Sequence, residues 1–188
     1  MKYLVASDLH GSIHYVDILI KRFLDEKADK LILLGDLYYH GPRNALPLDY
    51  NTMECANLLN QYKDNIIAVR GNCDAEVDQM ISLFKFIPQY ESMIAGKKFF
   101  FSHGHIYNKD NPPDVDFDIL MYGHLHTGYI VLHSYHSELG KEFQKIFVNT
   151  GSVSLPKNNT PHSYVVIDSN IILLKELESK KEIQRIQF

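Results

Sequence analysis

The sequence has no tryptophan, only two cysteines, no long apolar run and no excess of basic charge. Each shortage closes off a class of protein. Cys55 and Cys73 stand apart with no C-x-x-C pair, which excludes a disulfide scaffold and a four-cysteine zinc site. Two isolated cysteines fit a reducing compartment, so the expected location is the cytoplasm. The apolar stretches around Leu31–Leu34 and Ile171–Leu174 fall far short of the roughly 20 residues a membrane helix needs, and no membrane association is expected. The opening MKYLVASDLH does not read as a secretory signal, because Ser7 and Asp8 interrupt its apolar run. Nineteen Lys and Arg against 23 Asp and Glu leave a formal net charge of −4, which argues against long nucleic acid as a partner. A small anionic substrate held by local positive charge stays open.

Histidine is what the sequence has in quantity, with ten in 188 residues. Length and an ordinary apolar content fit one globular domain over residues 1–188. Short apolar runs at Lys2–Ala6, Leu31–Leu34 and Ile66–Val69 predict buried strands. Between them, a helix is expected after Ser12, with Ile13, Val16, Ile18, Leu19 and Phe23 at near-helical spacing, and another through Met53, Ala56, Leu58 and Leu59. This alternation predicts a parallel sheet with crossover helices. The second half predicts a hairpin about Gly96, then short strands at Ile119–Tyr122, Tyr129–His133, Ile146–Asn149, Tyr164–Asp168 and Ile171–Leu177. The tail from Ser179 alternates only weakly. The sum is one α/β domain of two packed sheets with helices outside.

Polar clusters fall at the ends of these strands: Ser7-Asp8-Leu9-His10, Gly35-Asp36, Gly71-Asn72-Cys73-Asp74, Ser102-His103-Gly104-His105 and Gly123-His124-Leu125-His126. Ligands of open α/β sheets bind outside the carboxyl ends of strands, so the five clusters are expected to converge on one edge of one sheet. Asp8 with His10, and His124 with His126, are two residues apart and would share a side in a straight strand. Carboxylate, imidazole and amide oxygen together suit borderline divalent ions. The ligands are too many for one ion and about enough for two, the pairing used in phosphoester hydrolysis. Any one cluster alone is an ordinary turn composition. The ordered set of five is not.

That set resembles the calcineurin-like metallophosphoesterase family, whose pattern is D-x-H, G-D, G-N-H-[D/E], a later histidine and G-H-x-H. The phrases HGPRNALP, IAVRGNCD and NTGSVSLPK bring the chain near the small bacterial phosphodiesterases of that family. The resemblance implies a four-layer α-β-β-α sandwich of two mixed sheets. It also implies one metal on Asp8, His10, Asp36 and His126 and a second on Asp36, Asn72, His103 and His124, bridged by Asp36. Asp36, Asn72 and His103 then serve catalysis. Manganese is the first choice of metal, with zinc, iron and nickel as alternatives. The implied activity is hydrolysis of small phosphodiesters by in-line attack of a hydroxide bridging the metals. A phosphomonoesterase, a non-catalytic scaffold of the same fold and a homo-oligomer remain alternatives. Cys73 departs from the pattern, where many members carry a histidine thought to assist the leaving group. It is expected to be too buried or too far away to ligate, and so to be a neighbour of the site. Asp74 and His105 are expected beside the substrate for the same reason of position. Arg43, in the loop after Asp36, could bind a phosphate oxygen or be a solvated loop residue; His40 is expected to face the site. His14, His133, His136 and His162 have no partner at ligand spacing.

Overall fold

The computed structural model describes residues 1–136 and 142–188. Helix α1 (Ile13–Asp25) starts where the Ser12 side chain accepts the Tyr15 N–H, and it buries Val16, Leu19, Ile20 and Phe23 as one stripe. Helix α2 (Thr52–Asn60) is capped in the same way by Asn51 and buries Cys55, Ala56 and Leu59. A short α3 (Glu76–Ile81) follows.

The strands are β1 (Tyr3–Ala6), β2 (Lys30–Leu33), β3 (Ile66–Val69), β4 (Phe86–Ile87), β5 (Tyr90–Ile94), β6 (Lys97–Phe101), β7 (Ile119–Tyr122), β8 (Gly128–His136), β9 (Glu142–Thr150), β10 (Ser163–Asp168), β11 (Ile171–Glu176) and β12 (Glu182–Gln187). They form two sheets, ordered β12-β11-β10-β1-β2-β3-β4 and β5-β6-β7-β9-β8. Both are mixed: β1, β2, β3 and β4 run parallel in the first, with β10, β11 and β12 added by antiparallel pairing on one side, and β6, β7 and β9 run parallel in the second, with antiparallel β5 and β8 at its two edges. The weakly alternating tail does pair, as β12 on β11.

Alternation along each strand divides the core. Leu4, Ala6, Leu31 and Leu33 point to the helices, with Val16, Leu19, Cys55 and Leu59. Val5 and Ile32 point the other way and meet Phe99, Phe101, Ile119 and Met121 of the second sheet. Burial on both faces is why these strands read as unbroken apolar runs. Phe100, Leu120, Tyr122 and Phe147 lie on the far face of the second sheet, covered by Phe117 and Tyr107. Helices thus cover the first sheet, while the irregular stretch between β6 and β7 covers the second. Among the described residues no helix is long and apolar enough to cross a membrane.

Candidate dinuclear metal centre

The polar clusters follow the carboxyl ends of β1, β2, β3, β6 and β7. They come from two sheets, three from the first and two from the second, so the expectation of a single sheet edge is corrected. The apolar runs specify strands but not which sheet each joins. The two sheets stack with these ends together, and hydrogen bonds join the tips. Asp8 N–H donates to Gly35 carbonyl at 3.1 Å, and His124 N–H donates to Asp8 Oδ2 at 2.9 Å across the sheets.

The pleat does not aim these side chains. β1 stops at Ala6 and β7 at Tyr122, and Asp8, His10, Asp36, His124 and His126 all have positive φ, between 47° and 63°. Left-handed backbone costs a non-glycine residue about 1–2 kcal/mol. Five such residues in one cleft mark strain retained at a working site. The consequence is plain at the second pair: His124 and His126 turn to different groups, although a straight strand would put them together.

One group is Asp8, His10 and His126; another is Asp36, His103 and His124. Asp8 Oδ1 lies 3.2 Å from His126 Nε2 and 3.6 Å from His10 Nε2. Asp36 Oδ2 lies 3.4 Å from His103 Nε2 and 3.9 Å from His10 Nε2, between the two groups. Asn72 Oδ1 is 3.0 Å from His103 Nε2. The structure therefore brings all seven expected ligands into one cleft.

The donors fit divalent cations on two observations. Asp8 Oδ1 is buried with no hydrogen-bond partner, an uncompensated oxygen aimed at two imidazole nitrogens. Three histidines also have their outer nitrogen committed. His10 Nδ1 donates to the Tyr39 carbonyl at 2.7 Å, His103 Nδ1 to Leu34 at 2.6 Å and His126 Nδ1 to Leu155 at 2.6 Å. Each bond fixes the tautomer and leaves a lone pair on Nε2 facing inward, the outer-shell arrangement of metal-binding histidine. Two such nitrogens, of His10 and His126, then face one another at 3.3 Å with no proton between them in the neutral rings.

Charge follows the same geometry. Burial pushes the Asp8 carboxyl up, but the His10 and His126 imidazoles beside it outweigh burial and hold it well below the usual carboxylate range. Asp36 is lowered too, with burial opposed by the His103 bond and charge. Burial pushes His103 down, yet Asp36 and Asp8 raise it to about 9. His124 falls to about 4, from burial and the charge of His103.

The cleft opens into a cavity of about 690 Å³ that reaches Arg43, Asn72, Cys73 and Lys157. Arg43 lies at this wall. Cys73 is half-buried, and Sγ lies within 4.8 Å of donor atoms of His10 and Asp36, nearer than expected. Its N–H donates to Asp36 Oδ1 at 2.8 Å. Asp74 turns away from the cavity. Its carboxylate accepts the N–H groups of Asp36 and Leu37 at 2.9 and 2.8 Å and of Gly71 at 2.7 Å, tying the tips of β2 and β3 together. His40 is not part of the cavity wall; its ring packs on Tyr39 and Tyr50. His105 is exposed at the outer edge, 5.3 Å ring to ring from His103. His14 and His162 pack on either side of Tyr15, and the side chain of His136 lies outside the described residues.

Sequence reasoning missed Tyr39, Lys157 and the support from the segment after β9. Ser152 Oγ donates to the Asp8 carbonyl at 2.8 Å and Leu155 anchors His126. The phrase NTGSVSLPK holds these last residues, but backbone carbonyls leave no side-chain signal.

A two-sheet α/β fold with paired carboxylate and histidine groups at one end defines a metallophosphoesterase. The chain belongs to the calcineurin-like phosphoesterase superfamily, whose domain model matches residues 1–170. It is 36% identical over 189 residues to phosphodiesterase YfcE of Escherichia coli strain K12, an alignment covering 99% of this chain and 97% of that one. The solved structure of YfcE, a phosphoesterase from E. coli, superposes with a TM-score of 0.89 at 34% identity, covering 100% of this chain and 99% of that one. An archaeal phosphodiesterase shares the fold at 20% identity and a TM-score of 0.56, with both chains fully covered.

Proposed function

We propose that this chain is a metal-dependent phosphodiesterase acting on small phosphoesters. The observation that carries the reading is Asp36 Oδ2, placed between the His10 and His103 nitrogens and so able to serve both ligand groups at once. We assign one cation to Asp8, His10, Asp36 and His126 and the other to Asp36, Asn72, His103 and His124. When bound, such a pair lowers the pKa of coordinated water and neutralises the phosphoryl oxygens. Manganese is the proposed metal, because the carboxylate and amide oxygens beside the imidazoles suit it.

The protein's own part is positioning. Tyr39, Leu34 and Leu155 hold protons on the outer nitrogens, so His10, His103 and His126 present lone pairs without rotating. Asn72 adds a neutral oxygen, which keeps the centre positive enough for an anionic ester. Arg43 and Lys157 bring positive charge to the cavity wall, where a phosphate must pass. We read residues 1–188 as one working unit, in the cytoplasm, where Cys55 and Cys73 stay reduced.

The test is Asp36→Asn, which keeps volume and removes the charge shared by both groups. Metal content after manganese reconstitution should fall from two per chain to one or fewer. Hydrolysis of bis(4-nitrophenyl) phosphate should drop at least about 100-fold, while the metal-free protein still melts in one cooperative transition. Near wild-type turnover at saturating metal would overturn the assignment.

A further inference from the structure

We propose that the metal cavity opens sideways into an apolar subsite that holds one organic arm of the substrate, so that the preferred esters carry a compact alkyl or aryl group. The inference rests on the phosphodiesterase reading above and adds the chemical class of the ester. Tyr39, Cys73 and Ala75 line the metal cavity and also line a second hollow of about 380 Å³ on their other side. The two spaces therefore share a wall. An arm of an ester bound by phosphate at the cleft can leave water past these three residues.

The far wall is apolar. It is built by Met53 of α2 and by Val77 and Ile81 of α3, over the rings of Tyr38 and Tyr50. Met53 is 51% exposed and Val77 59% exposed, although each lines the hollow beside the buried ring of Tyr38. Core packing does not account for either side chain. Two of the hollow's polar groups are engaged. Tyr38 Oη bonds Ser82 Oγ at 2.8 Å, and the Asp78 carboxylate accepts the Ala75 N–H at 2.7 Å. A space of this size takes a short chain or single ring, not a helix or strand of another protein, and it adjoins the metal cleft along Tyr39, Cys73 and Ala75. Transfer of an apolar arm from water into it supplies binding energy in proportion to area.

The test uses alkylphosphonates, which carry one arm on a non-hydrolysable phosphorus. Dissociation constants are measured by calorimetry on the manganese-loaded protein for inorganic phosphate and for methyl, ethyl, propyl and butyl phosphonates. The same series is run on the double variant Met53→Gln, Val77→Ser, whose altered side chains are exposed and whose folding is checked by thermal melting. Each methylene from ethyl to butyl should tighten binding about two- to threefold in the natural protein. In the variant the gain should shrink below about 1.5-fold per methylene, while phosphate affinity stays within about twofold. A flat series, or an equal gain in both proteins, overturns the subsite while leaving the phosphodiesterase reading standing. Failure of phosphate to bind, together with failure to hydrolyse bis(4-nitrophenyl) phosphate, overturns both.

Discussion

A β-carbon on Gly71 would stand 2.2 Å from Asp36 Oδ1, so the tip of β3 closes over the Asp36 carboxylate only because residue 71 has no side chain. The approach is held from behind, where Asp74 accepts N–H groups from both tips. Neither side can yield without losing a buried hydrogen bond.

Gly71→Ala should therefore displace Asp36 while leaving every donor atom present. Overpacking of this kind costs about 1–3 kcal/mol of stability. Because Asp36 faces both ligand groups, affinity for both metals should fall at least about tenfold, with one shared decline and no loss of a single site. Metal titration by calorimetry, alongside thermal melting, separates the two effects. Wild-type affinity for either metal would show that Asp36 does not depend on this contact.

Protons and metal compete for the same nitrogens, which sets the pH response. In the metal-free protein burial lowers His103, but Asp36 and Asp8 raise it from 6.5 to about 9. A raised folded pKa gives stability that is complete below pH 6.5 and lost as pH climbs toward 9. His124 works in the opposite sense: burial and the His103 charge lower it from 6.5 to about 4, so stability is lost as pH falls through that range. The metal-free protein should thus melt highest near pH 6.5, with lower Tm at both pH 5 and pH 8.5. Metal must displace the His103 proton, so apparent affinity should rise by up to about tenfold per pH unit from 6.5 to 8.5. A metal affinity independent of pH in that window would show that His103 is not displaced from its proton.

Much of this was legible in the residues. β1, β2, β3, β6 and β7 are buried on both faces, so their apolar runs stand out, and each ends at a ligand cluster. The hairpin was visible because Ala95 and Gly96 take the positive φ that a tight turn requires. What stayed hidden is tertiary. Assignment of the five ends to two sheets depends on pairing between distant strands, for which a single strand carries no mark. β4 has two residues and α3 six, too few to show a period. Asp74 looked like part of the site because it ends the Gly71–Asp74 cluster, yet three backbone N–H groups, and not a ligand, set its direction. The divergence of His124 and His126 depends on left-handed backbone, which Asp and His adopt without any signal in spacing.

Cys73 lines both the metal cavity and the apolar hollow. Burial and the charges of Asp36 and Asp74 push its thiol up to about 12, so it offers neither a positive charge nor a ready proton near neutral pH. A phosphodiester with a good leaving group needs neither. A phosphomonoester carries a second negative charge, and an alkyl monoester also needs its departing oxygen protonated. Cys73→His should supply both, because an imidazole at this wall faces the same carboxylates that raise His103. Proton donation of this kind is worth about 10²–10⁴-fold where the leaving group is poor. The ratio of kcat/KM for an alkyl monoester to that for bis(4-nitrophenyl) phosphate should therefore rise at least about tenfold. The gain should fade as pH is raised and the new imidazole loses its proton, a profile that a packing change alone would not produce. Metal content must be measured beside it, since Sγ lies within 4.8 Å of donor atoms of His10 and Asp36 and a histidine there could take a cation for itself. An unchanged ratio at full metal content would show that residue 73 does not govern the preference for diesters.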